Sequence, residues 1–155
     1  MTDSSHSRRP PRLAQVFHSA PLYFVTFCTH DRKPLLAHEI VLAAFLEACR
    51  RVEVAGNAAG CFMIMPDHIH VFLRMGPGGK LGLAVKCLRE RITKTLRAHR
   101  PALQVWQPGF FDHLMRSQES YSAKWEYVRQ NPVRAGLVST PEAWPYQGEV
   151  TVIRW

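Results

Sequence analysis

Residues 58–75 narrow the folds open to this chain more than any other stretch. Cys61-Phe62-Met63-Ile64-Met65 is a continuous apolar run, Pro66-Asp67 interrupts it, and His68-Ile69-His70-Val71-Phe72-Leu73 resumes it with β-branched and aromatic residues. A short apolar run bounded by turn residues suits a buried central strand, and a second run after a tight break makes its antiparallel partner. Residues i and i+2 of a strand share a face. His68 and His70 therefore project side by side, while Ile69 and Val71 enter the opposite layer. Two imidazoles on one face beside a core are costly to bury unless their nitrogens find partners. A metal ion is one such partner, for which histidine is the commonest protein ligand. A half-exposed strand with two solvated histidines is the other reading.

The flanking segments fit an alternation of strands and helices. Leu22 to Thr29 is rich in aromatic and β-branched residues and reads as a strand. From Glu39 to Val54, Val41, Phe45, Ala48 and Val52 recur at helical spacing, and Gly56-Asn57 ends that helix. Lys80 to about His99 reads as a second helix with a stripe of Ala84, Val85, Leu88, Ile92 and Leu96. Val105-Trp106-Gln107 and Phe110 to Arg116 suggest a short strand or hairpin about Pro108-Gly109. Ser117, a candidate N-cap, opens a third helix that Asn131-Pro132 ends. Val133 to Val138 is then a connector. The order strand–helix–strand–strand–helix–strand–helix predicts an α+β, ferredoxin-like sandwich: an antiparallel sheet with helices packed on it and an added C-terminal helix. Three parts are expected: a basic N-terminal arm (1–20), a domain (21–138), and a tail (139–155) folding back on it through Trp144-Pro145-Tyr146.

Charge bears on the partner. The chain of 155 residues carries a net charge of +8, which favours nucleic acid or another anionic surface. On the second helix Lys86, Arg89, Lys94 and Arg97 stand with Arg91 and Arg100 against Glu90, as expected of a face that tracks phosphates. Arg8, Arg9 and Arg12 offer the N-terminal arm the same role. No apolar run long enough to span a bilayer and no secretory signal is visible, so a cytoplasmic location is expected. Cys28, Cys49, Cys61 and Cys87 form no CxxC pair and read as small buried thiols.

The third helix carries the remaining chemistry. Tyr121 and Tyr127 are about 240° apart around it, from 3.6 residues per turn, so they face different surroundings. Tyr127 and Asn131 are four apart and share a face. If that face looks at His68 and His70, a phenol and a carboxamide join two imidazoles. A divalent ion held by two histidines and one oxygen ligand polarises a phosphodiester, and a tyrosine oxygen can then attack phosphorus. The competing readings are a surface aromatic for Tyr127 and a helix cap for Asn131.

Tyr23-Phe24-Val25-Thr26-Phe27, Met65-Pro66-Asp67-His68-Ile69-His70 and Tyr127-Val128-Arg129-Gln130-Asn131-Pro132-Val133-Arg134-Ala135-Gly136-Leu137 stand in the order and spacing of the single-tyrosine HUH transposases. Val105-Trp106-Gln107, Phe111-Asp112-His113 with Arg116, and Trp144-Pro145-Tyr146 resemble the branch of REP-associated tyrosine transposases. The resemblance covers residues 20–147. It implies a transposase-type endonuclease and strand transferase that nicks and rejoins single-stranded DNA at hairpin-forming repeats. It further implies a 5′-phosphotyrosine intermediate and a cofactor of Mg²⁺ or Mn²⁺. Carried over by position, Tyr127 is the nucleophile, His68 and His70 are metal ligands, and Asn131 falls where the wider family places a third ligand, with Gln130 as a rival. Asp67 stands where asparagine is common. Partners would be single-stranded or hairpin DNA, with no membrane, and the state a monomer or a homodimer. The alternative is a non-catalytic DNA- or RNA-binding protein on the same scaffold.

Overall fold

The computed structural model describes residues 20–155. The arm's Arg8, Arg9 and Arg12 lie outside the described residues. Strand β1 (Leu22–Cys28) is followed by helix α1 (Glu39–Val54), strands β2 (Ala58–Ile64) and β3 (His68–Arg74), helix α2 (Leu81–Arg97), strand β4 (Phe111–Met115), helix α3 (Gln118–Arg129), a single turn α4 (Asn131–Arg134) and strand β5 (Gln147–Glu149). The five strands run in the order β4-β1-β3-β2-β5, every neighbouring pair antiparallel. The first four form the expected ferredoxin-like sheet, and β5 lengthens its β2 edge.

Alternation along β3 assigns the faces. Val25, Phe27, Phe62, Ile64, Ile69, Val71 and Leu73 point to one side and are covered by α1 and α2. Helix α1 buries Val41, Ala44, Phe45, Ala48, Cys49 and Val52, and α2 buries Ala84, Val85, Leu88 and Ile92. These spacings keep each stripe on one side of its helix. Each large apolar side chain so buried contributes roughly 1.5–3 kcal/mol. Among the described residues no helix is long and apolar enough to cross a membrane.

The opposite face carries Phe24, Thr26, His68, His70 and Phe72, and α3 packs across it. Ser117 caps this helix, its hydroxyl accepting from the Ser120 amide. Tyr121 sets its ring edge against Phe72 at 4.6 Å, and Val128 joins Met63, Met65 and Trp144. The C-terminal segment shares this layer. The Trp144 indole donates to the Ile64 carbonyl at 3.0 Å, and Ile153 packs where β2 bulges. At that bulge a Cβ on Gly60 would sit 2.7 Å from Ile153, so the close approach needs glycine.

Two local expectations change. Val105–Gln107 and β4 do not pair with each other. Both run along β1, with Trp106 bridged to Thr29 and Phe111 opposite Thr26. Gly109, at φ +75°, lets the chain kink between them, so this is one interrupted edge strand, not a hairpin. Asn131-Pro132 ends α3, but the next residues form α4 instead of an irregular connector. Proline fits a first helical turn, where its missing N–H has no intrahelical acceptor.

Candidate active site

The histidines are set by their strand and fixed by their neighbours. Their ring centroids lie 4.7 Å apart. The His70 Nδ1 is 2.7 Å from Thr26 Oγ1, its register partner on β1, and Phe24 stacks on the ring at 5.1 Å. His68 Nδ1 is 2.7 Å from Asp67 Oδ1. A carboxylate only accepts, so His68 carries its proton on Nδ1 and leaves Nε2 as the lone-pair nitrogen. Neither Nε2 has a partner among the described residues.

Asp67 is held in turn. Arg32 donates from Nε to Asp67 Oδ2 at 2.8 Å and from Nη1 to Cys28 Sγ at 3.0 Å. The Thr29 and Leu36 amides bond the carbonyls of Asp67 and Pro66, tying the β2–β3 turn to the loop after β1. Asp31 and Arg32 both have φ of 53°, a left-handed conformation that non-glycine residues seldom adopt. That strained loop delivers the guanidinium to Asp67.

Electrostatics keep both imidazoles neutral. Burial lowers His70 to about 3, helped by the nearby His68, Lys124, Arg32 and Arg134. Burial also lowers His68, against the opposing pull of Asp67. Burial works to raise Asp67, but the hydrogen bonds from His68 and Arg32 outweigh it and hold the carboxyl below its ordinary range. Two neutral imidazoles with engaged Nδ1 atoms and unengaged Nε2 atoms fit a divalent metal, because Thr26 and Asp67 fix the two ring orientations in advance and Asp67 also fixes the His68 tautomer. Among the described residues no three His, Cys, Asp or Glu gather into a metal-holding group.

Helix α3 separates its two tyrosines. Tyr121 is 8% exposed and donates its hydroxyl to Cys61 Sγ at 3.2 Å, whereas Tyr127 is 64% exposed. Arg134 joins Tyr127 to Asn131: its guanidinium lies 4.1 Å from the Tyr127 ring centroid, donates to the Tyr127 carbonyl at 2.9 Å, and donates to Asn131 Oδ1. The histidines thus form one pair and Tyr127 with Asn131 another. No hydrogen bond or ring contact joins the two pairs among the described residues, while the charge of Arg134 reaches His70.

The α2 cations lie across the sheet from the histidines. Lys86 pairs with Glu90 at 3.7 Å, Lys94 is exposed, and Arg97 donates to the Leu103 carbonyl at 2.9 Å. Arg89 turns inward, its guanidinium 5.4 Å from the Phe27 ring and 5.6 Å from Trp106, and it donates to the Gly109 carbonyl.

Sequence reasoning missed Thr26, Arg32, Lys124 and Arg134. Thr26 had a signal, since strand alternation puts it on the face of Phe24. Arg134 also had one, three residues after Asn131 on a helical turn. Arg32 had none, because its role depends on a left-handed loop. Phe111 went unassigned as well: opposite Thr26, it sits on the histidine face and is 67% exposed.

An antiparallel βαββαβ sheet, a paired-histidine strand and an exposed tyrosine on a packed helix define a class, and comparison gives the family. Residues 19–131 match the model described as "Transposase IS200 like", and the chain belongs to that family. A REP-associated tyrosine transposase of Escherichia coli K12 is 29% identical over 86 residues, covering 55% of this chain and 50% of its own. A Haemophilus influenzae protein, provisionally named a REP-associated tyrosine transposase, is 25% identical over 144 residues, covering 84% and 80%. Among solved structures, a REP-associated tyrosine transposase bound to a REP hairpin superposes with a TM-score of 0.66 at 21% identity, over 82% of this chain and 75% of that one. The last likeness is one of fold.

Proposed function

We propose that this chain is a metal-dependent, single-strand-specific DNA endonuclease and strand transferase of the transposase type. Tyr127 is the nucleophile in this reading, and His68, His70 and Asn131 hold Mg²⁺ or Mn²⁺. The observation that carries it is the pair of neutral, Nδ1-anchored histidines on one face, in a chain whose family acts in transposition and whose α3 presents an exposed tyrosine.

When bound, the metal supplies Lewis-acid polarisation of the phosphodiester. The chain's own groups do the rest. The Tyr127 oxygen attacks phosphorus and loses its proton to solvent. The bond from phosphorus to the 3′ oxygen breaks, and that oxygen is protonated to a free 3′-hydroxyl. The 5′-phosphate stays on Tyr127, and a 3′-hydroxyl attacking it reverses the step without an external energy source. Asp67 holds His68 in one tautomer and orientation, and Thr26 holds the orientation of the His70 ring. Arg134 steadies the Tyr127–Asn131 turn and places positive charge near the reacting phosphate.

The test is adduct formation. Incubated with Mg²⁺ or Mn²⁺ and an oligonucleotide carrying a hairpin with an unpaired flank, the protein should form an adduct that survives SDS, and Tyr127→Phe should abolish it. An adduct undiminished in Tyr127→Phe would sink the reading. Salt-sensitive DNA binding with no adduct, unchanged in His68→Ala, would favour a non-catalytic binding protein.

A further inference from the structure

A well-formed concavity lies away from the histidines. A groove of about 740 Å³ runs between α2 and the interrupted edge strand. That size suits one small ligand. Its inner wall is aromatic and rigid. The Trp106 indole donates to Thr93 Oγ1 at 2.9 Å and lies 5.2 Å from Phe27, and Phe110 lines the groove beside it. Its rim is cationic. Lys86, Arg89, Lys94 and Arg97 face one carboxylate, Glu90, which Lys86 already engages.

Arg89 supplies an independent observation. It bridges Phe27, Trp106 and the Gly109 carbonyl, yet its Nε is buried with no acceptor among the described residues. Burial lowers its pKa, so the fold holds a partly desolvated cation against this wall. Aromatic walls with a positive rim are the usual means of holding an unpaired nucleotide, the base on rings and the phosphates on Lys and Arg.

We infer that this groove receives one unpaired nucleotide of the DNA substrate, its base against Phe110 and Trp106 and its flanking phosphates on Lys94 and Arg97. The inference rests on the reading that the substrate is single-stranded DNA. It adds a recognition site on the far side of the sheet from Tyr127. A strand held here reaches the histidine face by passing the β4 edge, where Phe111 is exposed.

The test uses the full chain in EDTA, so that cleavage plays no part. Anisotropy compares a hairpin with a short unpaired flank, the same hairpin without it, and the flanked hairpin with one flank base replaced by an abasic site. Phe110→Ala should weaken the flanked hairpin about tenfold. It should leave the blunt hairpin within about twofold and show no further loss on the abasic probe. Lys94→Glu with Arg97→Glu should also weaken the flanked form selectively and flatten its salt dependence by about two charges. Both changes lie on the surface or at a groove wall, and circular dichroism checks the fold. Equal losses for flanked and blunt hairpins, or no loss with either variant, overturn the inference while leaving the adduct reading intact. If the wild type binds none of the three DNAs, the functional reading falls and this inference falls with it.

Discussion

The two faces of β3 are built from one strand and solve different problems. On one, Ile69 and Val71 are fully buried under α1 and α2 and ask nothing of their neighbours but shape. On the other, His68 and His70 are half-buried and bring nitrogens that need partners. That face therefore recruits Thr26, Asp67 and, behind Asp67, Arg32. Apolar burial is non-directional and tolerates many solutions. A half-satisfied polar cluster is worse than none, so the histidine face is specified residue by residue. The apolar face holds the fold, and the polar face is where chemistry can reside.

The largest effect should come from exchanging damage between the faces. Ile69→Ala should cost about 2–5 kcal/mol in denaturant unfolding, the usual range for truncating a core isoleucine. It should leave adduct formation per folded molecule within a few fold. His70→Ala should remove adduct formation by at least about a hundredfold while costing much less stability, since it deletes a polar group with a desolvation penalty of its own. If His70→Ala unfolds the chain as badly as Ile69→Ala, the histidine face is structural and the comparison breaks.

Next in size is the support behind the imidazoles. Asp67→Asn keeps the shape of the turn but removes the acceptor charge that orders His68 Nδ1. Losing such a partner typically lowers metal affinity roughly 10- to 100-fold. Titration calorimetry with Mn²⁺ reads this without DNA. An unchanged affinity would show that Asp67 only forms the turn.

How much of this was legible in the sequence follows the same division. Periodicity found the apolar faces of α1, α2 and β3 because burial repeats with the backbone. It also put Tyr121 and Tyr127 on different sides of α3, which the 8% and 64% exposures bear out. Partners set by topology were harder. Thr26 meets His70 only once β1 is known to pair with β3 in that register, and Arg32 reaches Asp67 only through two left-handed residues. Arg89 shows the limit of counting charge on a helix: as sequence it is one of several cations, and as structure it lies against a pair of packed aromatic rings. Of the short strand or hairpin expected around Pro108-Gly109, the strand formed and the hairpin did not, for the same reason. Turn residues mark a break in a strand but not which strand the two halves then join.

The smallest effect concerns Tyr121 and Cys61, which close the inner end of the histidine face. Tyr121→Phe should cost about 1 kcal/mol, the ordinary net worth of a buried hydrogen bond, and leave the adduct intact. Burial pushes the Cys61 thiol up to about 11, against the lowering effect of the Tyr121 hydroxyl that donates to it. A thiol raised in the folded state binds its proton more tightly there than in the unfolded chain. Its contribution is therefore complete below pH 9 and is lost as pH rises from 9 towards 11. Burial pushes Cys49 and Cys87 in the same direction, so several thiols act together. Between pH 9 and 10, stability should fall with pH, and Cys61→Ala should make that slope shallower by at most about 1.4 kcal/mol per pH unit. Chemical denaturation at closely spaced pH values measures the slope directly. A slope unchanged in Cys61→Ala would mean that water already reaches the thiol, and that the seal between α3 and β2 is looser than Tyr121 and Phe72 suggest.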